Sequence, residues 1–555
     1  MSRSVLVAAA MLLVLPASQS PAPHPAPPWP GFLGGRAFAQ DVQPVARDHV
    51  RPPPAKPADE APRAGRLPAD ARSSQELALP GRTLRFTAVA GSIALPASGG
   101  RPSAEMAYIA YLLDGQPAKS RPVTFAFNGG PGAASTWLHI GAMGPWRLPL
   151  TSAMAQPSAT PVLLPNAETW LDFTDLVFID PVGTGYSRVI EADRPPQPTA
   201  EDQAKSKRGS GFRSRPDSSA ASFWTIRGDV DSLAEFIELW LKRNDRSASP
   251  KMLVGESYGG FRAPRIAHEL QRSHAVGIGA MVLVSPVIDF DARRGGNLPL
   301  YYVHLLPSLA AAAAEREGKS VTRGDLAAVE NYARGDYLLD LLHGPRDAAA
   351  VDRIVNRVAK LTALPEAAVR RHGGRLSGSA YVRETNGSTG RVASLYDASM
   401  TGLAAHPSRP GSRFDDPFTV ALVAPMTSAM MELYARFGWR PERRFEMLSS
   451  QTNRGWKWGN TPNPPQSVTA LQEVLALDRR TRVLVTHGFT DLVTPYFATA
   501  LQLAQLPAYG SPTRVELRVY PGGHMYYSRD QSRVAFRADA ERALRAVLEP
   551  PAPTP

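Results

Sequence analysis

The sequence predicts an α/β architecture: a mostly parallel central sheet, helices on both of its faces, and a helical cap inserted over it. Three observations carry this expectation. Short apolar runs alternate with helix-period segments from about residue 123 to 284. The same rhythm returns between 482 and 548. Between about 290 and 440 it breaks off, and the chain becomes Ala-rich in places and Gly/Ser-rich in others. Strands buried on both faces of a sheet read as continuous apolar runs, which is why the runs here point to a parallel sheet.

The elements follow in order. Leu84–Val89 alternates as a strand, and Ala107–Leu113 follows as a second. Val123–Phe127 is a short, mostly apolar run ending in Asn128-Gly129-Gly130-Pro131-Gly132. Asp175–Asp180 is another buried-strand candidate. Leu233, Phe236, Ile237 and Trp240 fall on one face of a helix running from about Thr225 to Lys242. Lys251–Val254 precedes a turn and a helix that reaches about Arg272, and Met281–Val284 is the next strand. After the interruption, which has its own helical stretch at Leu309–Glu317, come strands at Arg482–Val485 and Val515–Tyr520 and a last helix from about Ser532 to Leu548.

The 555 residues, 43% of them hydrophobic, are enough for a large core. The net charge of +12 comes from 62 basic against 50 acidic residues, with no run of five or more Lys or Arg. A thinly spread excess is a soluble basic surface, and no nucleic-acid partner is expected. The absence of cysteine excludes a thiol nucleophile, a disulfide framework and a Cys-ligated zinc. Arg3 followed by the apolar Val5–Leu15 reads as an export signal, too short to span a bilayer comfortably. Cleavage is expected at Ala37-Phe38-Ala39 or nearer Ala17–Ser20, with an uncleaved anchor or a mis-assigned start as the alternative. No later run is long enough to cross a membrane, so a secreted or periplasmic protein is expected. The organisation is then 1–39 signal peptide and Pro-rich lead, 40–81 disordered linker, 82–290 and 441–550 core, and 291–440 cap insertion. Asn386-Gly387-Ser388 fits an N-glycosylation acceptor, a short pattern of little weight.

Gly255-Glu256-Ser257-Tyr258-Gly259 has the G-x-S-x-G form, between a strand and a helix. That context belongs to the nucleophile elbow of the α/β-hydrolase fold, where a sharp turn lifts the serine out of the sheet. A serine needs a base, and the base an orienting carboxylate. In this fold acid and then histidine follow the serine, each just after a late strand. Asp491, after 482–485, and His524, after 515–520 in Pro521-Gly522-Gly523-His524-Met525, occupy those places. His487 is a rival to which a structural role is given. His268-Glu269 begins an H-E-x-x-H pattern that is not completed among the eleven histidines, so no metal or other cofactor is expected. The loop at Asn128–Gly132 follows an early strand, where one oxyanion-hole N–H arises in this fold, the other coming from the residue after the nucleophile. Gly130 and Tyr258 are the candidates.

Asn128–Gly132, Asp180-Pro181-Val182-Gly183-Thr184-Gly185-Tyr186-Ser187, Gly255–Gly260 and Gly523-His524-Met525, in this order, resemble the signatures of the serine carboxypeptidases, peptidase family S10, over about residues 82–548. The resemblance implies removal of single residues from the free C-terminus of peptides through an acyl-enzyme, without a cofactor. It also implies that Asn128, Gly129 and Glu256 bind the substrate's C-terminal carboxylate. A glutamate bonds a carboxylate only if one of the two is protonated, which favours acidic pH. The sequence departs from the family at Ala133, which stands for its usual cysteine, and at Ala126, which stands for its frequent tryptophan. It departs again near Ala142, where many members carry a second glutamate partnering the first. An esterase or acyltransferase using the same triad is the alternative, and a catalytically dead binding protein a third reading. Side-chain preference and oligomeric state have no readable code.

Overall fold

The computed structural model describes residues 66–549 apart from 97–101, 152–153, 191–221, 294, 296–297, 387–388, 407–415 and 460–462. The expected signal peptide and its cleavage points lie outside the described residues, as do Gly387 and Ser388 of the glycosylation pattern.

Among the described residues nine strands form the main path of a ten-stranded central sheet: β1 Ala71–Leu79, β2 Arg82–Pro96, β3 Pro102–Leu113, β4 Val123–Phe127, β5 Asp175–Ile179, β6 Lys251–Glu256, β7 Ala280–Val284, β8 Arg482–Gly488 and β9 Val515–Tyr520. Their spatial order is β1-β2-β3-β5-β4-β6-β7-β8-β9, and the short strand Arg188–Val189 also pairs with β3. β1 through β3 pair antiparallel, as do β3 and β5. From β5 through β4, β6, β7 and β8 to β9 every pairing is parallel. This crossing order, antiparallel on one side and parallel through the centre, is that of the α/β-hydrolase fold. Every residue of β4, β5, β6 and β7 is buried, as strands covered on both faces must be.

Helices α1 Ile226–Arg243 and α2 Tyr258–Ser273 cover one face, and the crossover helix before β8, Val468–Leu477, packs on α2 beside them. The Thr225 hydroxyl accepts from Gly228 N–H and caps α1, while Leu233, Phe236, Ile237 and Trp240 are buried. Trp240 meets Phe125 of β4 edge to face at 5.4 Å. The C-terminal helix, Asp530–Leu548, covers the other face with Phe536, Ala540 and Leu544.

Two boundaries differ from the sequence reading. Residues 71–79, placed there in a disordered linker, form β1, which pairs with β2 along its whole length. Upstream of it Leu67 is buried, and its N–H donates to Glu105 at 3.1 Å. The strand alternates exposed and half-buried residues because it is an edge strand with one face to solvent, so its polar composition resembles that of a linker. The segment assigned to the cap, 291–440, also divides in two. Pro299–Arg316 and Ala348–Thr362 pack with Tyr381, Phe489 and Tyr496 into a cluster of their own. Helix Thr419–Arg436 instead sends Leu422, Met426, Met430 and Leu433 into the main core beside Trp137, Trp146 and Phe437.

Candidate active site

Ser257 follows β6 with φ 60° and ψ −119°, a region sparsely populated by residues other than glycine. Holding it costs on the order of 1–3 kcal/mol, which the surrounding sheet must offset. Ser257 N–H donates to Val284 O at 2.8 Å, so β7 anchors the turn, and Ser257 O accepts from Gly260 N–H at 2.9 Å. The flanking glycines are required by close approach. A Cβ on Gly255 would lie 2.1 Å from Gly259 O, and one on Gly259 would lie 2.6 Å from Phe127 O.

After β9 the chain turns through Gly522, at φ 123°, to His524. His524 N–H donates to Tyr396 O at 2.5 Å, and Ser285 Oγ donates to His524 O at 2.8 Å. The ring is buried, with Nδ1 2.7 Å from Asp491 Oδ2. Asp491 is wholly buried, and its Oδ1 accepts from the N–H groups of Val493 and Thr494 at 2.8 and 2.9 Å. Thr494 Oγ1 stands 2.6 Å from Asp491 Oδ2 and 3.1 Å from His524 Nδ1. Burial alone would push Asp491 up, but the His524 charge and the hydrogen bonds from His524 and Thr494 outweigh it and leave the carboxyl below its ordinary value. Burial likewise pushes His524 down, and the Asp491 carboxylate outweighs this and raises it.

Ser257, His524, Glu256, Asn128, Gly129 and Gly130 line one small cavity of about 20 Å³, with Tyr396 and Trp137 among its walls. Ser257 and His524 face the same cavity. A serine–histidine bond of this kind commonly tightens only in the substrate complex. The loop carrying Gly129 presses on the elbow so closely that a Cβ there would lie 2.5 Å from Tyr258 N. Leu138 N–H donates to Asn128 Oδ1 at 3.0 Å, and Arg262 of α2, paired with Asp229 at 2.6 Å, donates to Asn128 O. Ser135 N–H donates to the buried Asp180 at 2.9 Å, tying the Asp180 turn to the same loop.

Glu256 is 2% exposed, and Tyr527 OH donates to its Oε2 at 2.7 Å. Burial pushes its pKa up to about 7, with the His524 charge and the hydrogen bonds from Tyr527 and Asn128 pulling the other way. His487 lies apart, buried and bonded to Thr494 O at 3.1 Å and Thr499 Oγ1 at 3.0 Å. Burial pushes it down to about 4, so it is neutral, in keeping with a structural role.

The cavity therefore gathers every site residue named from the sequence except Tyr258, which contributes from the elbow, and Asp491, which stands behind His524. Sequence reasoning missed Thr494, Tyr396, Tyr527 and the Arg262–Asp229 pair. Thr494 and Tyr527 each sit three residues beyond a triad candidate, but nothing in their spacing marks them. Among the described residues no group of three or more His, Asp or Glu side chains could hold a metal, and no helix is long and apolar enough to cross a membrane.

The family model of the serine carboxypeptidases matches residues 81–310. That span takes in the Asn128 loop, the Asp180 turn and Ser257, while Asp491 and His524 lie beyond it. Serine carboxypeptidase-like 9 of Arabidopsis thaliana is 23% identical over 191 residues, 33% of this chain and 36% of that protein. Serine carboxypeptidase-like 20 of the same plant is 25% identical over 189 residues, 34% of this chain and 31% of that protein. The chain thus matches about a third of the length of these curated relatives. Among solved structures, a proline iminopeptidase of Mycobacterium smegmatis aligns over 86% of this chain and 99% of its own, at 14% identity and a TM-score of 0.34. A thermophilic esterase of Thermogutta terrifontis aligns over 82% and 98%, at 15% and 0.31. The serine carboxypeptidase match and the α/β-hydrolase fold support a serine hydrolase.

Proposed function

We propose that this chain is an exported serine carboxypeptidase that releases C-terminal residues from peptides through an acyl-enzyme. The observation that carries the proposal is a single cavity holding an elbow serine, a histidine oriented by a buried aspartate, and a buried glutamate whose pKa burial pushes up to about 7.

In this mechanism Ser257 Oγ attacks the carbonyl carbon of the last peptide bond while His524 Nε2 takes its proton. Asp491, bonded to Nδ1, fixes the tautomer and stabilises the imidazolium. The N–H groups of Gly130 and Tyr258 bond the oxyanion of the tetrahedral intermediate. His524 then gives its proton to the leaving amine, and the C–N bond breaks. Water, deprotonated by the same ring, attacks the acyl-enzyme, and the released serine recovers its proton. Protonated Glu256 and Asn128 bind the substrate's terminal carboxylate and so set the register of cleavage.

The test uses purified protein with N-blocked dipeptides and their C-terminally amidated twins, from acidic to mildly basic pH, with released amino acid as the readout. Release from the acids and little from the amides supports the proposal. No release from either, beside hydrolysis of simple acyl esters, overturns it in favour of an esterase or acyltransferase. That second reading draws on Ala142, which offers no carboxyl to partner Glu256. Glu256→Ala separates the two: a carboxypeptidase loses activity on free-acid peptides more than on esters, an esterase equally on both.

A further inference from the structure

We infer that Tyr527 is the positioning residue that holds Glu256 for the substrate's carboxylate, filling the place where the family resemblance expects a second carboxyl. The inference rests on the carboxypeptidase reading above.

Two contacts carry it. The wholly buried Tyr527 donates from its hydroxyl to Glu256 Oε2 at 2.7 Å. Its ring also lies against the helical turn His139–Met143, so closely that a Cβ on Gly141 would stand 3.1 Å from Tyr527 Cε2. Ala142, near which the resemblance implies a second glutamate, is the next residue on that turn. The backbone of Tyr527 is fixed as well. It sits in the short helix Tyr526–Ser528, its carbonyl accepts from Arg533 at 3.2 Å, and Tyr526 OH donates to Thr486 Oγ1 at 2.6 Å.

The chemistry differs from that of a carboxyl pair. Two carboxyls in contact must share one proton, and the pair fails once that proton leaves. A buried phenol remains a donor throughout the neutral range, and burial raises Tyr527 further. Because Oε2 accepts from the phenol, a proton on Glu256 is directed to Oε1. The titratable groups around Glu256 are His524, Asp491, Tyr526 and Tyr527. Of these Tyr527 donates directly to the carboxyl and stabilises its charged form.

Tyr527→Phe keeps the ring against Gly141 and removes only the donor. The expected result is a fall of about tenfold in the preference for free-acid over amidated dipeptides, expressed mainly in KM. The alkaline limb of kcat/KM for the free acids also moves to higher pH, because the charged form of Glu256 has lost a hydrogen bond. A packing role alone would lower the Tm or reduce turnover on all substrates alike, with the limb unmoved. A wild-type enzyme that discriminates acids from amides, with a Tyr527→Phe variant that retains both the preference and the limb, overturns the inference while sparing the reading beneath it. A wild-type enzyme that does not discriminate overturns that reading and the inference together. Glu256→Gln combined with Tyr527→Phe should cost no more than Glu256→Gln alone, and additive losses would count against the coupling.

Discussion

Tyr396 holds His524 twice: its carbonyl accepts the His524 N–H at 2.5 Å, and its ring meets the imidazole edge to face at 5.3 Å and 80°. A residue from the segment assigned to the cap thereby sets the attitude of the proposed base. The Tyr396 hydroxyl is buried without a hydrogen-bond partner among the described residues. Tyr396→Phe is therefore expected to raise stability by about 1 kcal/mol, since an unsatisfied buried hydroxyl is removed. Tyr396→Ala keeps the carbonyl bond but loses the ring contact, and kcat should fall several-fold with KM changing less. Thermal unfolding and steady-state kinetics on both variants check this. A loss of stability in the phenylalanine variant would contradict the reading of the hydroxyl.

Asp491→Asn should leave the fold intact and reduce kcat by about 10³–10⁴, because the amide favours the wrong imidazole tautomer. Ser257→Ala should reduce turnover by a comparable or greater factor and abolish labelling by a fluorophosphonate. Active-site titration with that probe, beside circular dichroism of both variants, separates lost chemistry from lost structure.

The dependence on pH should differ between substrates. His524 is raised and must be neutral to accept the serine proton, so activity rises with pH on every substrate. Glu256 is raised to about 7 and must keep its proton to bind a carboxylate, so activity on free-acid peptides falls again above neutrality. Free acids should give a bell and esters a single rising limb, the apparent values belonging to the interacting pair. An ester profile that falls on the alkaline side in parallel with the acids would remove Glu256 from carboxylate binding.

The same carboxyl has a stability signature. Its folded pKa lies above its unfolded one, so the folded state holds the proton more tightly, and stability is lost as pH climbs from about 4.5 to about 7. The full effect is of the order of 3 kcal/mol. Glu256→Gln should therefore gain in Tm relative to the parent between pH 5 and pH 8. A difference that stays constant with pH would show that the carboxyl is not the source.

Gly129→Ala would force a Cβ to within 2.5 Å of Tyr258 N and 2.7 Å of Glu256 O, both backbone atoms that cannot rotate away. Loss of activity should exceed the loss of Tm, because the loop must retreat from the elbow. Crystallography or solution kinetics with retained activity would count against the proposed oxyanion hole.

Much of this arrangement was legible in the chain, because strand–turn–helix context makes a short motif specific. Ser257, Asp491 and His524 were found from their positions after particular strands, and Asn128–Gly132 from its place after an early one. Tyr527 and Tyr396 were invisible because tyrosines are ordinary core residues, and only the tertiary contact reveals a hydroxyl aimed at Glu256 or a carbonyl under His524. The helix at Thr419–Arg436 falls within the segment assigned as a cap insertion, and periodicity does not say which apolar surface receives a helix. It joined the main core with Leu422 and Met430 rather than the separate cluster around Tyr381. β1 was missed because Arg72, Ser73, Ser74, Gln75 and Glu76 carry little apolar alternation.

That first strand also bears on how far the chain can be shortened from its N-terminal side. Were it removed, β2 from Arg82 to Ala90 would present unpaired N–H and C=O groups at the flank of the sheet, a template on which a second chain could add itself. Ala71 is thus the innermost point from which the chain can be shortened without leaving a sticky border. A trimmed enzyme beginning downstream of Leu79 is expected to self-associate, whereas one beginning upstream of Leu67 keeps its border sealed.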